Sequence, residues 1–362
     1  MYVDKKMCRF HGGRYSENIK IDFSTPINPI GPPKFLEDLI REAVEKRLYM
    51  LYPDYEYKTL REAVSEFYNL NPEHIVLING VAEGINLILT CLRTRDLIVF
   101  EPTFGEYRCL TDILDINLRS IPYLEREDFY YIDEDSFKRS IRDVDKEGIV
   151  LLSNPNNPTG AYVDKDLMSN IINLSKNMTV IIDEAFIDLC EKCSSVLELV
   201  KEFDNLVVLR SLTKTFSVPG LRIGFIYTEN KKILETIDLC RQPWNINSIT
   251  SYVFSHVLKE YKKDLYEYIS SSRKIIEIER EFLYNSFRDL GIKVYRSYAP
   301  FLLLRHFKYK AEDVIKILNN HGIHVRDASK YPFLTPYHIR VSVRLREDNE
   351  YLVKVYKESG IR

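Results

Sequence analysis

The 362-residue sequence has no long apolar run, few cysteines, and almost equal numbers of basic and acidic side chains, 51 and 53. No stretch approaches the roughly 18 apolar residues that a membrane-spanning helix needs, and the first residues lack the apolar core of a signal peptide. We therefore expect a cytoplasmic protein that does not bind membranes. The absence of a basic run argues against nucleic acid as its main partner.

Six cysteines are too few to suggest a disulfide framework in a chain long enough to bury a large core. Outside a secretory context we expect them to be reduced thiols. Cys190 and Cys193 form a C-x-x-C pair, but a zinc site would need a second pair or suitably spaced histidines. The sequence therefore predicts no metal site.

Hydrophobic residues make up 45% of the chain and charged residues 29%, as in ordinary globular proteins. From about residue 75 to 227, short apolar runs alternate with stretches that can form amphipathic helices. Several runs are apolar on both faces, as strands are when helices cover both sides of a mostly parallel sheet. This region is predicted to be an α/β domain.

Beyond residue 227, long charged helices and short strands predict a smaller α+β domain. Four prolines between residues 26 and 33 predict an extended arm that enters a helix near Lys34. We expect residues 1–44 to form the arm and part of the small domain, 45–250 the large domain, and 251–362 the small C-terminal domain.

The stretch from Arg210 to Arg222 follows an apolar strand, so it lies where open α/β sheets bind ligands. Lys214 could form an imine with an aldehyde cofactor, while Ser211, Thr213 and Arg222 hold a phosphate of the same molecule. A polar loop with a solvated lysine would have the same sequence. Taken alone, this stretch leaves both interpretations open.

Two polar side chains follow other predicted strands. Asp183 ends an apolar run and could bond a protonated pyridine nitrogen, or it could cap the next turn. Asn157 lies in a turn cluster, where its amide could reach the phenolic oxygen of such a ring.

The remaining candidates concern phosphate and ring binding. A strand enters a helix through Gly80, and backbone N–H groups at Val81 and Ala82 would attract phosphate. Tyr107 could stack on a flat cofactor, although aromatic residues at such positions more often belong to the core.

In the order in which they occur along the chain, the motifs resemble the fold type I pyridoxal-phosphate enzymes of the aminotransferase class over nearly the whole chain. The resemblance implies a large domain with a mostly parallel seven-stranded sheet plus a smaller α+β domain. It implies pyridoxal 5'-phosphate bound to Lys214, with Asp183 on the pyridine nitrogen and Asn157 on the phenolic oxygen. The other cofactor contacts would come from Val81, Ala82, Tyr107, Ser211, Thr213 and Arg222.

The same resemblance implies a homodimer with shared active sites. Tyr52 would reach the cofactor phosphate of the neighbouring subunit, and Arg340 would bind the substrate carboxylate. A non-catalytic regulator of this type would carry a DNA-binding module ahead of the domain, and here the match begins near residue 10. An enzyme is therefore expected.

Within the class, the chain resembles most the threonine-phosphate decarboxylases of cobalamin biosynthesis. The resemblance rests on His11-Gly12-Gly13, on residues 22–29, on Arg241–Asn247 around Trp244, and on Arg326 ahead of Tyr331. A second phosphate, on a phosphorylated amino-acid substrate, needs its own donors, and the predicted ones are His11, Gly12, Gly13 and Arg326.

An arginine like Arg326 also occurs in histidinol-phosphate aminotransferases, so an aminotransferase remains the alternative. Pro26 stands where the decarboxylases usually have asparagine, which removes a donor from the arm. Phe186 stands where aminotransferases commonly have a tyrosine, and this difference favours the decarboxylase.

Overall fold

The computed structural model describes residues 11–13, 18–142, 144 and 147–361. In chain order, its strands are β1 (Ile21–Asp22), β2 (Ile75–Ile78), β3 (Asp96–Glu101), β4 (Asn117–Pro122), β5 (Leu124–Arg126), β6 (Phe129–Tyr131), β7 (Ile149–Ser153), β8 (Thr179–Asp183), β9 (Leu206–Ser211), β10 (Gly224–Tyr227), β11 (Lys293–Val294), β12 (Phe301–Arg305), β13 (Ile323–His324), β14 (Arg326–Asp327) and β15 (His338–Ser342).

The α-helices within the described residues are α1 (Lys34–Glu45), α2 (Lys58–Tyr68), α3 (Val81–Cys91), α4 (Glu106–Cys109), α5 (Thr111–Leu114), α6 (Glu134–Ser140), α7 (Lys165–Leu174), α8 (Leu212–Thr215), α9 (Lys231–Cys240), α10 (Ser248–Glu260), α11 (Lys262–Asp289), α12 (Ala311–Asn320) and α13 (Arg346–Ser359). Short 3-10 helices span Leu48–Met50, Pro72–His74, Ile187–Leu189 and Val196–Lys201.

A seven-stranded sheet of order β2-β10-β9-β8-β7-β3-β4 forms the centre of the large domain. Its strands are parallel except β10, which runs antiparallel to both neighbours. The residues of β2, β3, β7, β9 and β10 are buried along their whole length, which explains their continuous apolar runs. The predicted mostly parallel sheet is confirmed. Strand β10 begins only at Gly224, because Arg222 has a left-handed φ of 55°.

The strand ends bring polar residues to one edge of this sheet. Ser153, Asp183 and Ser211 are the last residues of the parallel strands β7, β8 and β9. Because β10 runs the other way, Arg222 just before it lies at the same edge. This edge is where open α/β sheets bind their ligands.

The small domain contains an antiparallel sheet of order β11-β12-β15-β14, covered by helices that include α12 and α13. Strand β1 pairs in parallel with β13, with Ile21 opposite Ile323. The arm is therefore joined to the small domain through this strand pair.

Hydrophobic clusters of the large and the small domain contain residues from both sides of the predicted boundaries at residues 44 and 250. Leu36 of α1 and Phe254 of α10 pack into the core of the large domain. The long helix α11 contributes Leu265 to that core and Leu283 to the core of the small domain. Helix α11 therefore connects the two domains.

The prediction of reduced thiols is wrong for the five cysteines that the structure describes, which are all disulfide-bonded. Cys91 and Cys240 end the neighbouring helices α3 and α9, and they form a disulfide with Cα atoms 6.4 Å apart. Cys190 and Cys193 form a second disulfide. The first pair is separated by 149 residues, so only the packing of the two helices brings it together. In the described part of the chain, no helix is both long and apolar enough to cross a membrane.

Candidate active site

A cavity of about 480 Å³ opens at the carboxyl edge of the large sheet, a volume typical of small-molecule sites. The predicted site residues that line it are His11, Gly12, Val81, Ala82, Asn157, Asp183, Ser211, Thr213, Lys214, Arg222, Arg326 and Arg340. Gly13, Tyr52 and Tyr107 do not line it.

Lys214 projects from α8, the short helix that follows β9 directly. Burial, together with the nearby Arg340 and Arg222 guanidinium groups, lowers the pKa of Lys214 to about 8. A lower pKa makes the neutral amine available near physiological pH, and the neutral amine is the form that attacks a carbonyl carbon.

Hydroxyl groups, a guanidinium and a helix start gather beside Lys214. Ser211 Oγ and Thr213 Oγ1 lie 2.8 Å apart on the cavity wall. Helix α3 begins there with the backbone of Val81, directly after Gly80. A Cβ atom at Gly80 would lie 2.3 Å from Arg222 Nη2, and its φ of 80° also favours glycine. This end of the cavity has the donors that a phosphate group needs.

Asp183 is fixed by two hydrogen bonds. Its Oδ2 accepts from the Tyr107 hydroxyl at 2.7 Å, and its Oδ1 accepts from the backbone N–H of Ala185 at 2.9 Å. Burial raises the pKa of Asp183 to about 6. A cation beside it in the cavity would favour the ionised carboxylate.

The structure places Tyr107 behind the cavity wall, and its stacking on a ligand stays a prediction. Tyr107 is fully buried with its hydroxyl on Asp183, whereas Phe104 of the same segment lines the cavity. The two rings are 5.7 Å apart and nearly perpendicular. Their spacing in the sequence does not show which ring faces the cavity.

Arg340 lies in β15 directly opposite Arg326 of β14. Its Nη2 donates to the carbonyl of Ser24 at 2.7 Å, and its Nη1 donates to Asn157 Oδ1. Burial lowers the pKa of Arg340 to about 10. Because Oδ1 of Asn157 is taken by Arg340, its NH₂ group is the part left for a ligand.

The arm contributes one wall of the cavity. His11 Nε2 is 2.7 Å from Glu106 Oε1, and both side chains line the cavity. Gly12 packs closely on Ser24, whose carbonyl oxygen would lie 2.6 Å from a Cβ at Gly12. The Gly13 N–H donates to Ser24 Oγ at 3.0 Å, and the role of this amide as a phosphate donor stays a prediction.

Tyr52 and Trp244 lie together outside this cavity. The Tyr52 side chain is highly exposed, and its ring centroid is 4.5 Å from that of Trp244. The segment Arg241–Asn247 contacts the site only indirectly, through a 2.8 Å bond from Asn245 Nδ2 to Glu83 of α3. The segment therefore does not line the cavity of its own chain.

A buried charge network below the cavity was not identified from the sequence. Arg210 Nη1 donates to Glu184 Oε2 at 3.1 Å, and Nη2 forms an ion pair with Asp188. Asp188 also accepts from the Thr215 hydroxyl at 3.1 Å. Glu184 and Thr215 are the neighbours of Asp183 and Lys214, so the network holds both strand ends. The feature of the sequence that could have indicated this network is Arg210, a charged residue near the end of the apolar strand β9.

The family model described as aminotransferase class I and II matches residues 18–355. The chain belongs to this family. A provisionally named threonine-phosphate decarboxylase of Caldanaerobacter subterraneus subsp. tengcongensis is 31% identical over 345 residues, covering 92% of this chain and 90% of the relative. A histidinol-phosphate aminotransferase of Thermoanaerobacter pseudethanolicus is 34% identical over 333 residues, covering 91% of this chain and 90% of the relative.

A solved structure gives the same family relationship. The histidinol-phosphate aminotransferase of Clostridium acetobutylicum matches with a TM-score of 0.84 and 28% identity, covering 94% of this chain and 99% of that one. Similar proteins thus include enzymes named for two reactions, and overall similarity does not separate them.

The cofactor of this family is pyridoxal 5'-phosphate. The residues of the cavity fit it, because a buried lysine, a fixed carboxylate and a phosphate-binding end lie around one space. Two buried polar atoms of cavity residues, Thr25 Oγ1 and Arg340 Nε, also have no hydrogen-bond partner within the described chain. Buried groups of this kind commonly contact a ligand.

Proposed function

We propose that the chain decarboxylates a small phosphorylated amino acid, with L-threonine O-3-phosphate as the substrate. The observation that carries this proposal is that the cavity has two separate sets of phosphate donors. Ser211, Thr213 and Arg222 form one set, which suits the phosphate of the cofactor. His11 and Arg326 form the other, which suits a phosphate on the substrate.

The cofactor would be held by residues at the strand ends. Lys214 would bind it covalently, Asp183 would accept a hydrogen bond from its ring nitrogen, and Asn157 would donate to its phenolic oxygen. When bound, pyridoxal phosphate supplies an electron-withdrawing ring that stabilises negative charge at the substrate α-carbon. After loss of carbon dioxide, Lys214 Nζ is the group that would return a proton to that carbon.

The spacing of two arginines supports a short substrate. Arg326 and Arg340 are directly opposite each other on antiparallel strands, so their Cα atoms lie about 5 Å apart. With Arg340 on a carboxylate and Arg326 on a phosphate, the two charged ends of the substrate must be close together. Threonine phosphate, in which both groups are attached to one short carbon chain, meets this condition.

Phe186 supports the same reaction. Its ring lines the cavity and packs edge-on against Phe301, with centroids 5.3 Å apart. It has no hydroxyl to offer the phenolic oxygen of the cofactor, unlike the tyrosine that aminotransferases commonly have at this position.

Histidinol-phosphate aminotransferase is the second candidate, supported by the 34% identical relative. Histidinol phosphate carries a phosphate but no carboxylate, so Arg326 and Arg340 would bind different substrates in successive half-reactions. In the decarboxylase they would bind one molecule at the same time.

We also propose a homodimer in which Tyr52 contacts the cofactor phosphate of the partner subunit. Tyr49, Met50, Leu51 and Tyr52 are all exposed in the single chain, and Trp244 lies next to them. A contiguous apolar patch of this kind marks an interface. If Tyr52 acts across it, dilution to monomers should release the cofactor; retention by a monomer would contradict the role of Tyr52.

Product analysis tests the reaction. Purified protein loaded with pyridoxal phosphate should release carbon dioxide and aminopropanol phosphate from threonine phosphate. It should form little glutamate from histidinol phosphate and 2-oxoglutarate. Robust glutamate formation without carbon dioxide release would overturn the decarboxylase proposal in favour of the aminotransferase.

A further inference from the structure

We propose that Glu106 is a positioning residue that orients His11 toward the substrate phosphate. This inference rests on the proposed function, because it assumes that the ligand next to His11 carries a phosphate group. Glu106 is not among the residues that the sequence motifs singled out.

The geometry gives Glu106 a definite partner atom. Its Oε1 lies 2.7 Å from His11 Nε2, and both residues line the main cavity. A histidine ring has only two nitrogens for hydrogen bonding. With Nε2 directed at Glu106, Nδ1 is the ring nitrogen that remains for a ligand.

His11 needs such a partner because of where it lies. It belongs to the arm, and about half of its side chain is exposed to solvent. The arm is held beside it by backbone contacts, such as the bond from the Gly13 N–H to Ser24 Oγ. An exposed ring on such a segment would sample several rotamers, and a carboxylate in contact with one nitrogen restricts that freedom.

Helix α4 sets the position of Glu106. Glu106 is its first residue, and Phe104 just before it packs near the His11 ring, with centroids 6.0 Å apart. The Glu106 carboxylate and the Phe104 ring therefore lie next to His11 on the side of the large domain. Arg326 reaches the same cavity from the small domain.

A double-mutant cycle on the cofactor-loaded enzyme tests the inference. The variants are Glu106→Gln, His11→Ala and the double variant, each assayed with threonine phosphate and with threonine. Glu106→Gln should raise KM for threonine phosphate about three-fold, because the loss of a partly exposed ion pair has an effect of about this size. It should change kcat little. It should leave the constants for threonine unchanged.

The decisive comparison is the effect of Glu106→Gln on KM when His11 is present and when His11 is replaced by alanine. If Glu106 acts through His11, Glu106→Gln should have no further effect once His11 is alanine. Asp112→Asn, an exposed acid on α5, is the matched control and should change neither substrate's constants. Unchanged urea unfolding of every variant would show that the fold is intact.

The outcomes separate this inference from the proposed function. An equal effect of Glu106→Gln with and without His11 would overturn the positioning role while leaving the reaction intact. A keto acid product with the same pattern of KM changes would refute the decarboxylase and support the role of Glu106. Equal processing of threonine and threonine phosphate by the unsubstituted enzyme would overturn both.

Discussion

Two parts of the cavity are built in different ways. The floor consists of the residues at the strand ends, Asp183, Ser211, Lys214 and Arg222, and the arm-side wall consists of His11 and Arg326. Asp183 of the floor ends a buried strand, Lys214 lies three residues after another, and a buried charge network holds their chain neighbours Glu184 and Thr215. His11 of the wall lies on an arm, and about half of its side chain is exposed. The floor therefore offers a rigid geometry for the cofactor, whereas the wall is assembled from distant segments and can differ between enzymes that share the floor. Similar proteins named for two reactions agree with this division.

The largest expected effect is at the centre of the floor. Lys214→Ala should abolish turnover and the visible absorbance of the cofactor-loaded protein, because no other lysine lines the cavity within the described residues. Absorbance spectroscopy and product assays measure both. A yellow, active variant would refute the assignment of the whole floor.

The charge network should be the next most sensitive feature. Arg210→Met leaves Glu184 and Asp188 buried without their cation, so the free energy of unfolding should fall by about 3 to 5 kcal/mol in urea denaturation. Lys165→Met, which breaks the exposed pair with Glu198, is the control and should change it by less than about 1 kcal/mol. Similar losses in the two variants would contradict the rigid-floor interpretation.

The lowered pKa of Lys214 predicts a pH dependence of stability. Burial lowers this pKa from 10.5 to about 8, so the unfolded chain binds more protons than the folded one between these values. The unfolding free energy of the cofactor-free protein should therefore rise by about 3 kcal/mol as pH increases through this window. In Lys214→Met this rise should be absent, and urea denaturation of both proteins from pH 7 to pH 10.5 measures it. Parallel pH profiles of the two proteins would show that folding does not lower the pKa of Lys214.

Gly80 tests how closely the phosphate end of the floor is packed. Gly80→Ala places a Cβ against Arg222 and strains a positive φ, so cofactor affinity should fall about ten-fold or more, by the loss of a charged hydrogen bond. Titration of the cofactor-free protein with pyridoxal phosphate measures it. Gly291→Ala is the control, because it has a φ of 77° but open space around it. Equal affinities would place Arg222 outside the phosphate site.

The smallest effect is expected on the wall. Arg326→Met should reduce the preference for threonine phosphate over threonine about ten-fold, because one charged phosphate contact is lost. Ratios of kcat/KM for the two substrates measure it, with Arg296→Met, an exposed arginine paired with Asp128, as control. An unchanged preference would remove Arg326 from the phosphate site.

Much of the fold and of the floor could be predicted because the signals are local. Apolar runs on both strand faces predicted the large sheet, and Lys214, Asp183, Ser211 and Arg222 lie within a few residues of strand ends. The sequence could not show that Phe104 lines the cavity while Tyr107 is buried behind it, because both rings belong to one short segment and only packing decides which is buried. The Cys91–Cys240 disulfide was missed because helix packing, not spacing, brings the two thiols together.

By itself, the sequence determined the fold class, the family resemblance and the residues that line the floor, since these depend on periodicity and on short motifs. The tertiary structure decided which donors and acceptors are already used: the Gly13 N–H donates to Ser24 Oγ, and Asn157 Oδ1 accepts from Arg340 Nη1. It also decided that Trp244 lies outside the cavity and that Glu106 contacts His11. The physical reason is that hydrogen-bond partners and side-chain directions depend on segments far apart in the chain, and only packing brings these segments together.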